Sequence, residues 1–136
     1  MVTYRKILLA EDDMDDLAIF EQVLGEKEPD IVLQHAENGL EMIAMLDKMA
    51  DSDLPDLIIL DQNMPKMTGR ESLLFLKDSA RYRHIPIILY STYQVRDFYR
   101  ECLDLGACAI VAKPDTLQGY REMISRFLAI PVGLPA

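Results

Sequence analysis

Ile7-Leu8-Leu9-Ala10-Glu11-Asp12-Asp13 is the stretch on which the fold turns: an uninterrupted apolar tetrad that breaks into three consecutive acids. An apolar run of strand length, ended by charge, predicts a buried strand running into an acidic loop. Working outward, further apolar blocks stand at Ile31-Val32-Leu33, Leu57-Ile58-Ile59-Leu60, Ile85-Pro86-Ile87-Ile88-Leu89-Tyr90 and Ala107-Cys108-Ala109-Ile110-Val111-Ala112. Three of these are near-continuous rather than alternating, the pattern of strands covered on both faces in a parallel sheet.

Between the blocks the apolar period moves from 2 toward 3.6. Leu17, Phe20 and Leu24 mark one helical stripe, and Leu40, Ile43 and Leu46 a second. The third interval holds Leu73, Leu74 and Leu76, the fourth Val95, Phe98, Cys102 and Leu105, and the fifth Leu117, Tyr120, Ile124, Phe127 and Leu128. Strands alternating with amphipathic segments predict right-handed crossovers: an α/β domain built as a (βα)5 doubly wound parallel sheet between two helical layers. The stripes read as core. Tyr90, Tyr93, Phe98 and Tyr99 gather rings around the fourth helix, where they can pack or face a partner.

The 136 residues fit one domain, and 14 Lys+Arg against 23 Asp+Glu leave a net charge of −9. Such a chain repels a polyanion unless a basic patch outweighs the excess, and none is present, so nucleic acid is not an expected partner. Cys102 and Cys108 are too few for a disulfide framework and lack zinc-site spacing, which suits a reducing compartment. No apolar run approaches the ~20 residues that span a bilayer. The N-terminus turns acidic too early for a secretory signal. A cytoplasmic protein with no membrane partner is expected.

In an open parallel sheet, ligands sit at the carboxyl ends of the strands. Those ends carry Glu11-Asp12-Asp13, Asp61-Gln62-Asn63, Ser91-Thr92 and Lys113-Pro114. Glu11, Asp12 and Asp61 offer hard oxygen ligands to Mg²⁺ if the fold unites their loops. Otherwise acids here serve a helix N-terminus, and Asp13, Asp15 and Asp16 are read as capping or solvated. Lys113 can place a cation, and Ser91 a hydroxyl, beside the same carboxylates.

Taken in order, Ile7 to Asp13, Leu60-Asp61-Gln62-Asn63-Met64-Pro65-Lys66-Met67-Thr68-Gly69, Leu89-Tyr90-Ser91-Thr92, Gly106-Ala107 and Lys113-Pro114 resemble the receiver domain of two-component response regulators. The chain is similar in detail to the stand-alone, single-domain members of the cyanobacterial phytochrome type. The resemblance implies a flavodoxin-like strand order 2-1-3-4-5, with a receiver domain at 1–130 and a short tail at 131–136. It implies Asp61 as phosphoacceptor, Ser91 as switch hydroxyl and Lys113 as phosphate contact. Glu11, Asp12, Asp61 and the backbone carbonyl of Asn63 would hold Mg²⁺, and a cis peptide would precede Pro114.

The implied activity is acceptance of a phosphoryl group from a sensor histidine kinase or histidine phosphotransfer protein. The protein would assist its own phosphorylation and dephosphorylation without being a conventional enzyme. With only a tail beyond the receiver pattern, it would signal through phosphorylation-dependent protein interaction, with an effector or as a homodimer. Ile110 departs from the family's usual tyrosine or phenylalanine, so coupling would run through Ser91 and the loop after it, including Tyr93. A receiver-like interaction module that is not phosphorylated is the alternative. A haloacid dehalogenase-like phosphatase would need an acid where Asn63 stands, and Glu11-Asp12-Asp13 would repel the phosphate of a flavodoxin-like ligand.

Overall fold

The computed structural model describes residues 4–92 and 96–130. The branched apolar runs form five strands, β1 (Lys6–Ala10), β2 (Val32–Ala36), β3 (Leu57–Asp61), β4 (Ile87–Ser91) and β5 (Ala109–Ala112). Between and after them lie α1 (Met14–Lys27), α2 (Gly39–Asp47), α3 (Gly69–Asp78), α4 (Arg96–Asp104) and α5 (Leu117–Leu128), with a short 3₁₀ turn at Asp51–Asp53. The sheet is parallel throughout in the order β2-β1-β3-β4-β5, as expected from the resemblance.

Alternation along the strands divides the core in two. Leu8, Ala10, Ile58, Leu60, Ile87 and Leu89 meet Met42, Leu46, Leu73, Leu76 and Cys102 of α2, α3 and α4. Ile7, Leu9, Leu57, Ile59, Ile88 and Tyr90 meet Leu17, Phe20, Val23 and Leu24 of α1 and Tyr120, Met123, Ile124 and Phe127 of α5. Fully burying such a side chain stabilises the fold by about 1.5–3 kcal/mol, which explains why strands covered on both faces read as unbroken apolar runs.

Local chemistry starts the helices. Asp13 caps α1 by accepting from the backbone N–H groups of Asp15 (2.9 Å) and Asp16 (3.2 Å), and Asn38 caps α2 through Glu41 N–H (2.9 Å). Thr68 and Glu71 form a reciprocal capping box on α3, and Thr116 caps α5. Each cap satisfies donors that the helix cannot pair internally.

Several expectations need correction. Leu40 is exposed, and the inner line of α2 runs Gly39, Met42, Leu46. A Cβ on Gly39 would stand 2.2 Å from Ser72 Oγ, so this close approach turns α2 and swings Leu40 outward. Leu74 and Leu117 are likewise exposed. Tyr90 is fully buried and faces no partner, whereas Tyr99 is exposed. No peptide bond is cis among the described residues, so Lys113–Pro114 is trans, the form an X–Pro bond ordinarily favours by about 0.5–1 kcal/mol. Tyr93, Val95 and the tail at 131–136 lie outside the described residues.

Candidate functional site

The strand register brings the polar residues to one level. Ala10 pairs with Ala36 and Leu60, Asp61 with Tyr90, and Ser91 with Ala112. Backbone bonds extend the ladder past the strand ends: Glu11 N–H to Ala36 O (2.9 Å), Gln62 N–H to Tyr90 O (3.0 Å) and Lys113 N–H to Ser91 O (2.9 Å). Glu11, Asp61, Ser91 and Lys113 therefore share a rim because sheet hydrogen bonding carries them there.

Glu11 and Asp61 are buried, Asp12 is exposed, and one carboxylate oxygen from each lies within 4.8 Å of the others. Opposite ligands of an octahedral Mg²⁺ stand about 4.2 Å apart, at roughly 2.1 Å from the ion, so this oxygen set fits with little closure. The β3–α3 loop holds Asp61 in place. Asn63 N–H donates to Asp61 Oδ1 (3.1 Å), and Asn63 Nδ2 donates to Thr92 Oγ1 (3.2 Å), tying that loop to the end of β4. A Cβ on Gly69 would stand 2.8 Å from Asp61 O, so only glycine lets α3 begin this close beneath the carboxylate. Ser91 is buried one residue beyond the partner of Asp61 in the ladder.

Lys113 spans the cluster. Its Nζ lies 3.0 Å from Asp61 Oδ2, 3.0 Å from Glu11 Oε1 and 2.7 Å from Asp16 Oδ2. Burial favours the neutral amine, but Asp16, Glu11 and Asp61 together outweigh it and hold the lysine above its ordinary pKa, hence charged. One ammonium thus serves three carboxylates. Glu11 is pushed up to about 7, first by burial and then by the adjacent Asp61 carboxyl.

Three members of this arrangement escaped the sequence reading. Asp16, taken as capping or solvated, is an ion-pair partner of Lys113. Tyr90 donates its hydroxyl to Glu11 Oε1, and its ring lies 5.0 Å from Lys113 Nζ. His35 donates Nε2–H to the backbone carbonyl of Glu11 (2.7 Å). The available signal was position: His35 and Tyr90 are polar-tipped residues in the last two places of strands whose ends already carried the chemistry. The Tyr120 hydroxyl is buried beside the same cluster, where burial first and then the Asp16 charge hold its proton above the ordinary range.

Comparison with known proteins gives a consistent result. The family described as response regulator receiver domain matches residues 7–125. Response regulator Rcp1 of Synechocystis sp. is 31% identical, over 96% of this chain and 92% of its own. The polar-differentiation response regulator DivK of Brucella anthropi is 25% identical, over 91% of this chain and 96% of its own. The crystal structure of the phosphorylated cyanobacterial phytochrome response regulator RcpA superposes with a TM-score of 0.84 at 27% identity, covering 98% of this chain and 99% of that one. The Mn²⁺-bound form of Rcp1 gives 0.83 at 27% identity, covering 97% and 99%.

Proposed function

The chain belongs to the response regulator receiver domain family, and from that premise we propose that it is a phosphoacceptor signalling protein in which Asp61 receives the phosphoryl group. The observation that carries this reading is the single rim on which Asp61, two further acids and Lys113 converge. Glu11, Asp12, Asp61 and the Asn63 carbonyl would hold Mg²⁺, which supplies charge neutralisation at transferring phosphoryl oxygens.

The protein's own groups account for the rest. An Asp61 carboxylate oxygen attacks phosphorus as the P–N bond of a donor phosphohistidine breaks, and the electron pair leaves with the imidazole. Asp61 is held for that attack by Asn63 N–H. Lys113, already charged and 3.0 Å from Asp61, has its ammonium placed for the added oxygens. Ser91 supplies a hydroxyl to the same oxygens. The resulting acyl phosphate hydrolyses to return Asp61 to a carboxylate.

A sensor histidine kinase or a histidine phosphotransfer protein is the donor in this reading. The added charge would redistribute the contacts of Lys113 and Ser91 and so alter the surface offered to an effector or a second copy. Residues 1–130 would be the receiver and 131–136 a tail. Among the described residues, no helix is long and apolar enough to cross a membrane; a cytoplasmic setting suits the donors. Intact-mass measurement after incubation with acetyl phosphate and Mg²⁺ tests the proposal: the wild type gains one phosphoryl group, and Asp61→Asn gains none. An unmodified wild type, with candidate kinases also supplied, would favour the unphosphorylated interaction module instead.

A further inference from the structure

Tyr90 touches two groups of the rim, Glu11 and Lys113, from within the core. It is fully buried, it pairs with Asp61 across the ladder, and it precedes Ser91. Its hydroxyl donates to Glu11 Oε1 and its ring faces the Lys113 ammonium. The phenol O–H is the donor and the Glu11 carboxylate oxygen the acceptor.

We propose that Tyr90 is a positioning residue of the metal site, holding the Glu11 carboxylate in one rotation and restraining Lys113 from capturing it. This rests on the reading of Glu11, Asp12 and Asp61 as metal ligands. Glu11 Oε2 is steadied by Asp13 N–H at 3.2 Å, and Lys113 Nζ lies 3.3 Å from it. Oε1 receives the Tyr90 hydroxyl and lies 3.0 Å from Lys113 Nζ. Without the phenol, Oε1 loses a neutral donor and leans more on Lys113, which is already 3.0 Å away. The ammonium then competes with a cation for the ligand, and the carboxylate loses its second fixed point. Partners that orient metal ligands from behind are worth about 10–100-fold in metal affinity.

The test is Mn²⁺ titration of the purified full chain, followed by loss of the free-ion electron paramagnetic resonance signal, with circular dichroism reporting the fold. Tyr90→Phe retains the ring and removes the donor. It is expected to raise the Mn²⁺ Kd by about tenfold or more, the range for such partners. Tyr4→Phe removes the hydroxyl of a buried tyrosine at the opposite end of the sheet and should leave Kd within about twofold of wild type, because its partner is the Ile130 carbonyl and not a group of the rim. In a Glu11→Gln background, adding Tyr90→Phe should have little further effect, since the phenol acts through the carboxylate.

An unchanged or tighter Kd in Tyr90→Phe overturns the proposal, as does equal weakening by Tyr4→Phe. Full persistence of the effect in Glu11→Gln overturns it too. If Tyr90→Phe fails to fold, Tyr90→Leu replaces it, again without a donor, and retention of wild-type affinity by that variant is the overturning result. Absence of Mn²⁺ binding by the wild type would instead defeat the underlying metal-site reading.

Discussion

The two ends of the sheet are built on opposite electrostatic plans. At the C-terminal ends of the strands, Glu11, Asp16 and Asp61 converge on Lys113, with Asp12 beside them. At the opposite ends, polar groups meet complementary partners. Arg81 donates to Leu46 O (3.1 Å), Met49 O, Asp51 Oδ1 (2.7 Å) and the Tyr82 hydroxyl (2.9 Å), while Tyr82 donates to Asp47. Asp56 accepts from the backbone N–H groups of Arg5 (2.7 Å) and Lys6 (3.1 Å), and Tyr4 donates to Ile130 O at 2.6 Å. The lower rim fastens helix ends and crossovers to the sheet. The upper rim keeps an excess of negative charge that a cation can neutralise, and in the proposed reading that excess is the functional end of the molecule.

Removing Lys113 should break this contrast most severely. Lys113→Met leaves buried Glu11 and Asp61 without their cation and should cost about 3 kcal/mol in metal-free urea denaturation. Saturating Mg²⁺ should restore much of it, because a ligand at 100 times its Kd stabilises the folded state by about 2.7 kcal/mol. A metal-free variant as stable as wild type would show that the upper rim is not charge-frustrated. Arg81→Ala should cost less, by stripping donors from the carbonyls at and after the end of α2, with the same loss in the presence of Mg²⁺. A Mg²⁺-dependent loss would join the rims rather than separate them.

Tyr4→Phe should cost about 1 kcal/mol, the worth of an ordinary hydrogen bond. It should also change the alkaline limb of stability. Burial pushes the Tyr4 phenol from its ordinary value of 10.0 up to about 12, so the folded state holds the proton more tightly than the unfolded chain. Its contribution is complete below pH 10.0 and is lost as pH rises through about 12; the phenylalanine variant should lack that step. Lys66→Gly should have the smallest effect, a gain of about 0.5 kcal/mol in denaturation midpoint analysis, because Lys66 occupies the left-handed region at φ 67°. That gain with unaltered phosphorylation would separate loop strain from chemistry.

Much of this contrast was legible in the chain. Near-continuous apolar runs announced doubly covered strands, and the abrupt acids after Ala10 and Leu60 marked the rim. Glu11, Asp12 and Asp61 could be anticipated as neighbours because parallel strands in register end together. Side-chain direction was less accessible. Leu40 and Met42 both fit a helical period, and only the close approach of Gly39 to Ser72 decides which turns inward. Asp16 looked like a solvated first-turn acid because its partner, Lys113, arrives from β5 through tertiary folding. Tyr90 looked like an aromatic available to a partner, yet its ring completes the core while its hydroxyl reaches Glu11. An amphipathic residue answers to two environments, and pattern alone reports only one.

The most direct test locates the phosphoryl group. The wild type is incubated with acetyl phosphate and Mg²⁺, the acyl phosphate is reduced with borohydride to the corresponding alcohol, and the modified residue is identified by peptide mass spectrometry. Reduction confined to Asp61, and absent when Mg²⁺ is chelated, is the predicted result. Reduction at another acid, or at Asp61 to the same extent without Mg²⁺, would contradict a metal-assisted phosphoacceptor at the charge-frustrated rim.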